Sequence, residues 1–464
     1  MWRALALDLG STRLKLAALD ERGALTVLAS EPAPQVRETG LECDFDAEEL
    51  DAAVERLLGH AAQLDREPLP LGIACQRSSF LAWDAATGEP LTRVLSWRDR
   101  RAQSWCDEQR SRAPWYEGFS GLRLSPHYLG PKLAVLARAG LFGESAREST
   151  SAASRREVRV GTLDSFAIAR RRPRAERHTI DASMAARTLL FDVRTGDWNP
   201  DALAHVGAPR RALPDLRPSC GRDEALSDSL KLTATLSDQA AAFLAVSAPG
   251  AGDVLVNLGT GGFVLREVER FEPRAGYLCG PLLANADGAM RWALEGTINA
   301  GAAGLDALGG ASEPPRAHDD EPDLFCAPED GVGAPHWRAE LTPSFSRDVT
   351  ALSPSARRRA FLEGLVFRVR ELVEALDPSG RARVKLSGGV ARDPFVAPAL
   401  ATLLGRELEM LDDHESTLLG AARLAANLAP FADPPRSAVR PTDAPLRAKY
   451  ERWLAWRANY LRRA

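Results

Sequence analysis

No apolar run in this chain is long enough to cross a bilayer. The most hydrophobic stretch, residues 240–246, falls far short of the roughly 20 residues a spanning helix needs. A signal-peptide core with a small-residue cleavage site is also missing, so no secretory leader is expected. Cysteine is sparse: Cys43, Cys75, Cys106, Cys220, Cys279 and Cys326 are scattered, with no CxxC pair. That spacing argues against a zinc ribbon or a disulfide framework and fits buried free thiols in a reducing, cytoplasmic setting. Excess charge of one sign is lacking too. Lys and Arg total 59 against 63 Asp and Glu, for a net charge of −4, which gives no general attraction to nucleic acid or to membrane surfaces. There is no low-complexity segment. What remains is ordinary for a globular protein, with 45% hydrophobic and 26% charged residues, and 464 residues make room for two or three domains.

The most informative positive feature is a glycine-hydroxyl turn that occurs twice. The first copy is Ala6-Leu7-Asp8-Leu9-Gly10-Ser11-Thr12-Arg13-Leu14-Lys15. The second is Val254-Leu255-Val256-Asn257-Leu258-Gly259-Thr260-Gly261-Gly262-Phe263-Val264. Each reads as an apolar strand, a tight turn and a second apolar run. Such a hairpin tip presents backbone N–H groups and small hydroxyls, which suit phosphate oxygens. Two copies far apart suggest two similar domains gripping one polyphosphate.

Along the chain, residues 4–7, 14–19 and 25–29 read as a hairpin meander. Residues 48–64 carry apolar side chains at helical spacing. Residues 71–75 and 80–83 read as strands, 101–109 and 130–139 as helices, 144–157 as a polar loop and 188–193 as a strand. Asp238 opens an Ala-rich helix. Residues 313–330, rich in Pro and acid, are expected to form a surface loop. Residues 356–376 form a long helix, 384–386 a strand, and 429–445 a proline-rich connector. Residues 446–463 close the chain as a basic helix whose Tyr450, Trp453, Trp456 and Tyr460 suit docking on the body. The arginine run at 170–177 reads as a solvated face. These features set domain boundaries at 1–247, 248–430 and 431–464.

Several residues carry chemistry. Asp8 ends a buried strand, where a carboxylate needs a cation; Mg²⁺ on nucleotide phosphate is one partner, and a plain turn cap is the alternative. Ser11, Thr12 and Lys15 can serve phosphate. Asp238-Gln239 starts a helix; this Asp is either an N-cap or a base that accepts the proton of an attacking hydroxyl. Gln76-Arg77-Ser78-Ser79 and Ser96-Trp97-Arg98-Asp99-Arg100-Arg101 follow strands and offer amide, guanidinium, hydroxyl and carboxylate groups beside an aromatic face, a mixture suited to a polyhydroxylated ligand. Leu386-Ser387-Gly388-Gly389 lets a nucleoside approach the backbone closely. Glu415-Ser416-Thr417-Leu418-Leu419-Gly420 reads either as part of that site or as a helix start packed on small residues.

Taken in order, these motifs resemble the FGGY carbohydrate kinase family. The likeness runs from about residue 4 to residue 426 and includes Gly161-Thr162-Leu163-Asp164-Ser165, Leu294-Glu295-Gly296-Thr297 and Phe361-Leu362-Glu363-Gly364-Leu365. The resemblance implies an α/β fold of two actin-like, ribonuclease-H-like lobes with an ATP and substrate cleft between them. ATP and Mg²⁺ are the implied cofactors, and the reaction is phosphorylation of a sugar, ketose or polyol hydroxyl. By position, Asp238 would be the catalytic base, and Asp8 and Asp238 would face the metal. Gly10, Ser11, Thr12, Lys15, Gly259, Thr260, Gly261, Gly388 and Gly389 would line the nucleotide. Gln76, Arg77, Ser78, Trp97, Asp99, Arg101, His127, Asp238 and Gln239 would line the acceptor. A small-molecule substrate is the implied partner, without nucleic acid or membrane, and homodimers are common in such enzymes.

Within the family, Gln76-Arg77, Ser120-Gly121-Leu122-Arg123-Leu124-Ser125-Pro126 and Gly331-Val332-Gly333-Ala334-Pro335-His336-Trp337 look most like glycerol kinases. The pattern breaks at two places. Ser78 stands where glycerol kinases place Glu after Gln-Arg, and His127 where they place Tyr after Pro. A site that loses a carboxylate and a phenol is expected to take a different polyol, ketose or sugar acid. Two other readings share the same motifs: an actin- or chaperone-like nucleotide-dependent binding protein, and a kinase relative that binds sugar without turnover.

Overall fold

The computed structural model describes residues 1–61, 64, 68–143, 157–172, 178–248, 250–259, 261–308, 321–412, 415–427, 436–442 and 445–463. The expected loop at 144–157, apart from Glu157, and residues 173–177 of the arginine run lie outside them. The chain forms two compact units. The first comprises Met1–Ala245, Cys279–Trp292 and Thr417–Ala432; the second comprises Val246–Leu278, Ala293–Ser416 and Asp433–Ala464. These units are discontinuous in sequence, unlike the continuous segments 1–247 and 248–430 read from the motifs. Small residues account for the return of the chain at Thr417–Ala432. A Cβ on Gly420 would overlap Ala241 O, and one on Gly72 would overlap Ala421 O. The Ser416–Ala425 helix therefore seats backbone against backbone in the first unit.

The main sheet of the first unit runs Cys220–Ser227, Leu230–Ser237, Leu69–Cys75, Trp2–Leu9, Arg13–Asp20 and Leu25–Pro32. Leu230–Ser237, Leu69–Cys75 and Trp2–Leu9 are parallel neighbours. The Arg13–Asp20 and Leu25–Pro32 strands complete an antiparallel meander. Ala4, Leu5, Ala6 and Leu7 are all fully buried, as expected of a central strand covered on both faces. A second, antiparallel sheet joins Arg37–Thr39, Glu42–Phe45, Val94–Leu95, Phe80–Asp84 and Val158–Thr162. The Ala47–Ala61 helix buries Leu50, Ala53, Val54, Leu57 and Leu58 along one face. Its Asp51 pairs with Arg170 and Arg171 at 3.0 and 2.7 Å, so Arg170 and Arg171 are half-buried ion-pair partners of this helix, not the solvated face expected of them. The strand expected over 188–193 shrinks to Phe191–Asp192. Leu189 adopts φ +65°, which turns the chain just before it.

The seven-stranded sheet that carries the second unit's strands runs Leu278–Ala284, Met290–Ile298, Gly262–Val268, Val254–Leu258, Val384–Ser387, Leu408–Leu411 and Arg436–Val439. Val254–Leu258 pairs antiparallel with Gly262–Val268 and parallel with Val384–Ser387, which is parallel to Leu408–Leu411. Both units thus share one order: a hairpin whose first strand is extended by two parallel strands. The faint repeat in sequence is a repeat of topology, as two ribonuclease-H-like lobes require. Arg436–Val439 corrects the expected connector, because it adds an antiparallel edge strand to Leu408–Leu411.

The Pro354–Leu376 helix starts where Ser353 Oγ accepts from Ala356 N, with Pro354 in the first turn. It buries Arg368 completely. That guanidinium donates to Glu329 Oε2, Glu371 Oε2 and Ala334 O, each at 2.6 Å. Glu329 lies in the stretch expected to be a surface loop, and the structure overturns that expectation for residues 324–329, while Pro322, Asp323 and Asp330 are exposed as expected. Leu324, Cys326 and Glu329 are each 1% exposed, because Arg368 needs a carboxylate inside. The Leu446–Tyr460 helix docks as expected. Trp453 Nε1 donates to Cys326 O at 2.9 Å, Tyr460 OH to Thr342 O at 2.8 Å, and Arg457 to Glu371 at 2.6 Å. Burial raises the Glu371 carboxyl, but His336, Arg368 and Arg457 outweigh it and hold the pKa at about 2. Among the described residues no helix is long and apolar enough to cross a membrane.

A surface loop would tolerate loss of Glu329. Here Glu329→Ala removes one of the two carboxylates that hold buried Arg368 and should cost about 1–3 kcal/mol. Urea unfolding of the two proteins measures this; a change below about 0.5 kcal/mol, the usual surface value, would contradict the buried pair.

Candidate active site

The site begins with register. Leu9 lies beside Cys75, and Cys75 beside Ser237, on three adjacent parallel strands. The next residue of each strand, Gly10, Gln76 and Asp238, therefore leaves the sheet at the same edge. Ligands of open α/β sheets bind outside such carboxyl ends. Gln76 N donates to Leu9 O at 3.1 Å, and its side-chain Nε2 to Gly10 O at 3.3 Å. A Cβ on Gly10 would stand 2.7 Å from Arg13 O, so the turn demands glycine. Ser11 and Thr12 are exposed at its tip, while Asp8 and Lys15 are half-buried and face each other across the hairpin.

Asp238 is the first residue of the Asp238–Val246 helix. Its Oδ1 accepts from Gln239 N at 2.8 Å and lies 3.7 Å from Arg77 Nε. The Asp238 side chain keeps 28% of its surface exposed, enough to meet a ligand, while Gln239 is buried. Asp8 and Asp238 are hard oxygen donors at one sheet edge. That chemistry fits Mg²⁺ held by one or two carboxylates together with phosphates. Among the described residues no group of three or more His, Cys, Asp or Glu forms a separate metal centre.

Ser78, beside Arg77, has φ +67°, an uncommon conformation for a residue with a Cβ and one that costs of order 1–3 kcal/mol. Its Oγ reaches Arg187 O at 3.5 Å. Ser79 Oγ donates to Gln76 Oε1 at 3.2 Å and accepts from Trp97 N at 2.9 Å. Trp97 itself is 38% exposed. His127 is half-buried, with Nδ1 2.8 Å from Ser125 Oγ and its ring 3.9 Å from that of Tyr128. Asp99 and Arg101 correct the acceptor list. Asp99 is fully buried and accepts from Cys43 N at 2.7 Å and from Arg101 NH2 at 2.9 Å. Arg101 also reaches Asp44 at 3.3 Å. The two form an internal ion pair that braces Glu42–Phe45 and leaves Asp99 no surface for a ligand.

Sequence reasoning missed the groups behind this edge. Lys132 is fully buried in the Leu129–Arg138 helix, and burial lowers its pKa to about 7 despite the attraction of Asp99. A lysine in the apolar face of a helix was its one visible sign. Asp181 is also fully buried, and burial lifts its pKa to about 6. It accepts from Ser219 Oγ at 2.7 Å and Ser183 N at 2.9 Å. Ser183 Oγ in turn accepts from Ser237 N at 2.8 Å, fixing the peptide that leads into Asp238. No spacing in the sequence signals that link.

In the second unit, Gly259 and Gly261 form the hairpin turn, with Gly259 N donating to Gly261 O at 2.9 Å; Thr260 lies outside the described residues. Asn257 is level with Ser387 on the parallel neighbour, so the 259–261 turn and Gly388 leave adjacent strands at one edge, as Gly10 and Gln76 do in the first unit. Gly388 has φ +92°, and a Cβ there would overlap Leu258 O. Gly389 is different: a Cβ there would meet nothing within 4 Å. Gly388→Ala should therefore destabilise the protein by about 1–3 kcal/mol, while Gly389→Ala should leave stability within about 0.5 kcal/mol. Thermal unfolding of both variants separates the two, and equal losses would contradict the contrast.

Residues 3–240 match the N-terminal domain of the FGGY family of carbohydrate kinases, and residues 254–429 match its C-terminal domain. A glycerol kinase of Xanthobacter autotrophicus is 29% identical over 460 residues, covering 93% of this chain and 91% of its own. Among solved structures, a gluconate kinase from Lactobacillus acidophilus superposes with a TM-score of 0.81 at 20% identity, over 99% of both chains. Plasmodium falciparum glycerol kinase with ADP gives a TM-score of 0.78 at 18% identity, over 99% of this chain and 98% of its own.

Proposed function

Because this chain belongs to the FGGY family of carbohydrate kinases, which are ATP-using phosphotransferases with alcohol acceptors, we propose that Asp238 is its catalytic base and that its acceptor is a sugar, ketose or polyol. The observation that carries this reading is the shared edge of three parallel strands, where the Gly10 turn, Gln76 and Asp238 emerge together and Asp8 lies among the last residues of its strand, next to the turn.

Asp238 accepts the proton of the acceptor hydroxyl as its oxygen bonds to the γ-phosphorus. The bond from the γ-phosphorus to the bridging oxygen breaks, and ADP leaves. Arg77, 3.7 Å from Asp238 Oδ1, orients the carboxylate. Asp8 and Asp238 would hold Mg²⁺, which neutralises charge on the phosphates. Ser11, Thr12 and Lys15, with the 259–261 turn, would bind phosphate oxygens, and Gly389 would underlie the nucleoside. Arg77, Ser78, Trp97, His127 and Gln239 would face the acceptor, with Gln76 shaping the edge. Asp99 and Arg101 act behind them as an internal brace. Ser78 and His127 replace the Glu and Tyr of glycerol kinases, which favours an acceptor with a different hydroxyl pattern from glycerol.

Asp238→Asn keeps the shape of the side chain and removes the base. Turnover should fall about 10²–10⁴-fold, while ADP binding measured without Mg²⁺ by titration calorimetry stays near that of the unaltered protein. Turnover close to normal would contradict the assignment.

A further inference from the structure

Lys132 has no role in the chemistry above, yet it is a fully buried lysine beside the acceptor candidates. Its Nζ donates to Ser78 O at 3.0 Å and to Ser96 O at 2.8 Å. It lies 5.5 Å from the centre of the Phe80 ring. The two carbonyls belong to different loops. Ser78 follows Arg77, and Ser96 precedes Trp97. Burying an ammonium is costly unless hydrogen bonds satisfy it. Both serines are themselves buried; Ser96 O also accepts from Asp99 N at 3.0 Å, and among the described residues Lys132 is the one group bonded to both carbonyls. The donor comes from a helix anchored through Gly130 N to Thr188 O at 2.8 Å, next to Arg187, whose carbonyl the Ser78 hydroxyl reaches.

We propose that Lys132 is a positioning residue that ties the 76–79 loop to the 96–97 loop and so sets the pose of Arg77, Ser78 and Trp97 toward the acceptor. The acceptor part of this statement rests on the function proposed above. Ser79 supplies a parallel tie, from Gln76 Oε1 to Trp97 N. Gln76 Nε2 carries the connection on to Gly10 O. The loops meant to read the acceptor are therefore joined by hydrogen bonds to the phosphate-type turn. The left-handed Ser78, at φ +67°, fits this role: its carbonyl is held by Lys132 and its hydroxyl reaches Arg187 O.

The test uses Lys132→Met in the full-length protein, which keeps the aliphatic stem and removes the donors. Lys132→Gln, which retains one amide donor, decides the matter if the Met variant does not fold. Hydrogen exchange followed by mass spectrometry should show amides in residues 76–80 and 96–100 exchanging at least about tenfold faster, with residues 4–9 and 254–258 unchanged. With glycerol, D-xylulose and D-gluconate as probes, the acceptor KM should rise about tenfold while kcat stays within about threefold and MgADP affinity is unchanged. Unchanged exchange in both loops, an equal rise in all four segments, or an unchanged acceptor KM would overturn the proposal. If the unaltered protein turns over none of the three probes, the fault lies with the proposed acceptor class. Exchange in the two loops then decides the tie alone.

Discussion

Three parallel strands that end at one level set the geometry on which the rest of the first unit depends. Leu9, Cys75 and Ser237 are in register, and strands lie about 4.8 Å apart. Residues 10, 76 and 238 are distant in sequence but leave the sheet side by side. A slip of one residue in any strand would turn its side chains to the opposite face. It would also carry Asp8 or Asp238 out of reach of the others. The apolar runs around Ala4–Leu7, Leu71–Cys75 and Leu232–Leu236 hold this register by burial. The core is thus a positional device as well as a source of stability. The second unit uses the same constraint, with Asn257 level with Ser387 and glycines where the first unit has polar side chains.

Much of this was legible in the sequence. The hairpins around Gly10 and Gly259 announced themselves by apolar runs broken by glycine and hydroxyl residues. The helix beginning at Asp238 followed from its Ala-rich composition behind an opening Asp, and the docked aromatic helix at the C-terminal end from its stripe of Tyr and Trp. The strand order was not legible from spacing, because parallel pairing joins segments far apart in the chain. Nor was the role of Asp99 and Arg101. Their residue types suited a polyol, but the Glu42–Phe45 strand that claims them lies over fifty residues away. The stretch 313–330 read as a surface loop from its Pro and acid content, since nothing local shows that Arg368 is buried against Glu329.

Buried charge recurs where the fold must hold a loop or a helix in place. Arg368 with Glu329 and Glu371 seats the last helix of the chain. Lys385 with Asp253, 2.6 Å apart and both 1% exposed, braces the strand that leads to Gly388. Asp99 with Arg101 and Lys132 with two carbonyls do the same behind the loops of the first unit. Hydrophobic side chains of similar volume could match much of this stability. They would not supply the directed bonds that fix a carbonyl or a carboxylate at a chosen point. Small residues do complementary work by letting backbones touch, as Gly420 and Gly72 do in the first unit.

The central claim is that the strand edge carrying Asp8, Gln76 and Asp238 performs phosphoryl transfer to a polyhydroxylated acceptor. The most direct measurement is ADP release from the purified protein with MgATP across glycerol, erythritol, pentitols, ribulose, xylulose, sedoheptulose, fuculose, rhamnulose and gluconate. The account predicts one strong responder, with release far above the acceptor-free background. Silence across the panel from protein that binds ATP, or release equal with and without every acceptor, would contradict it.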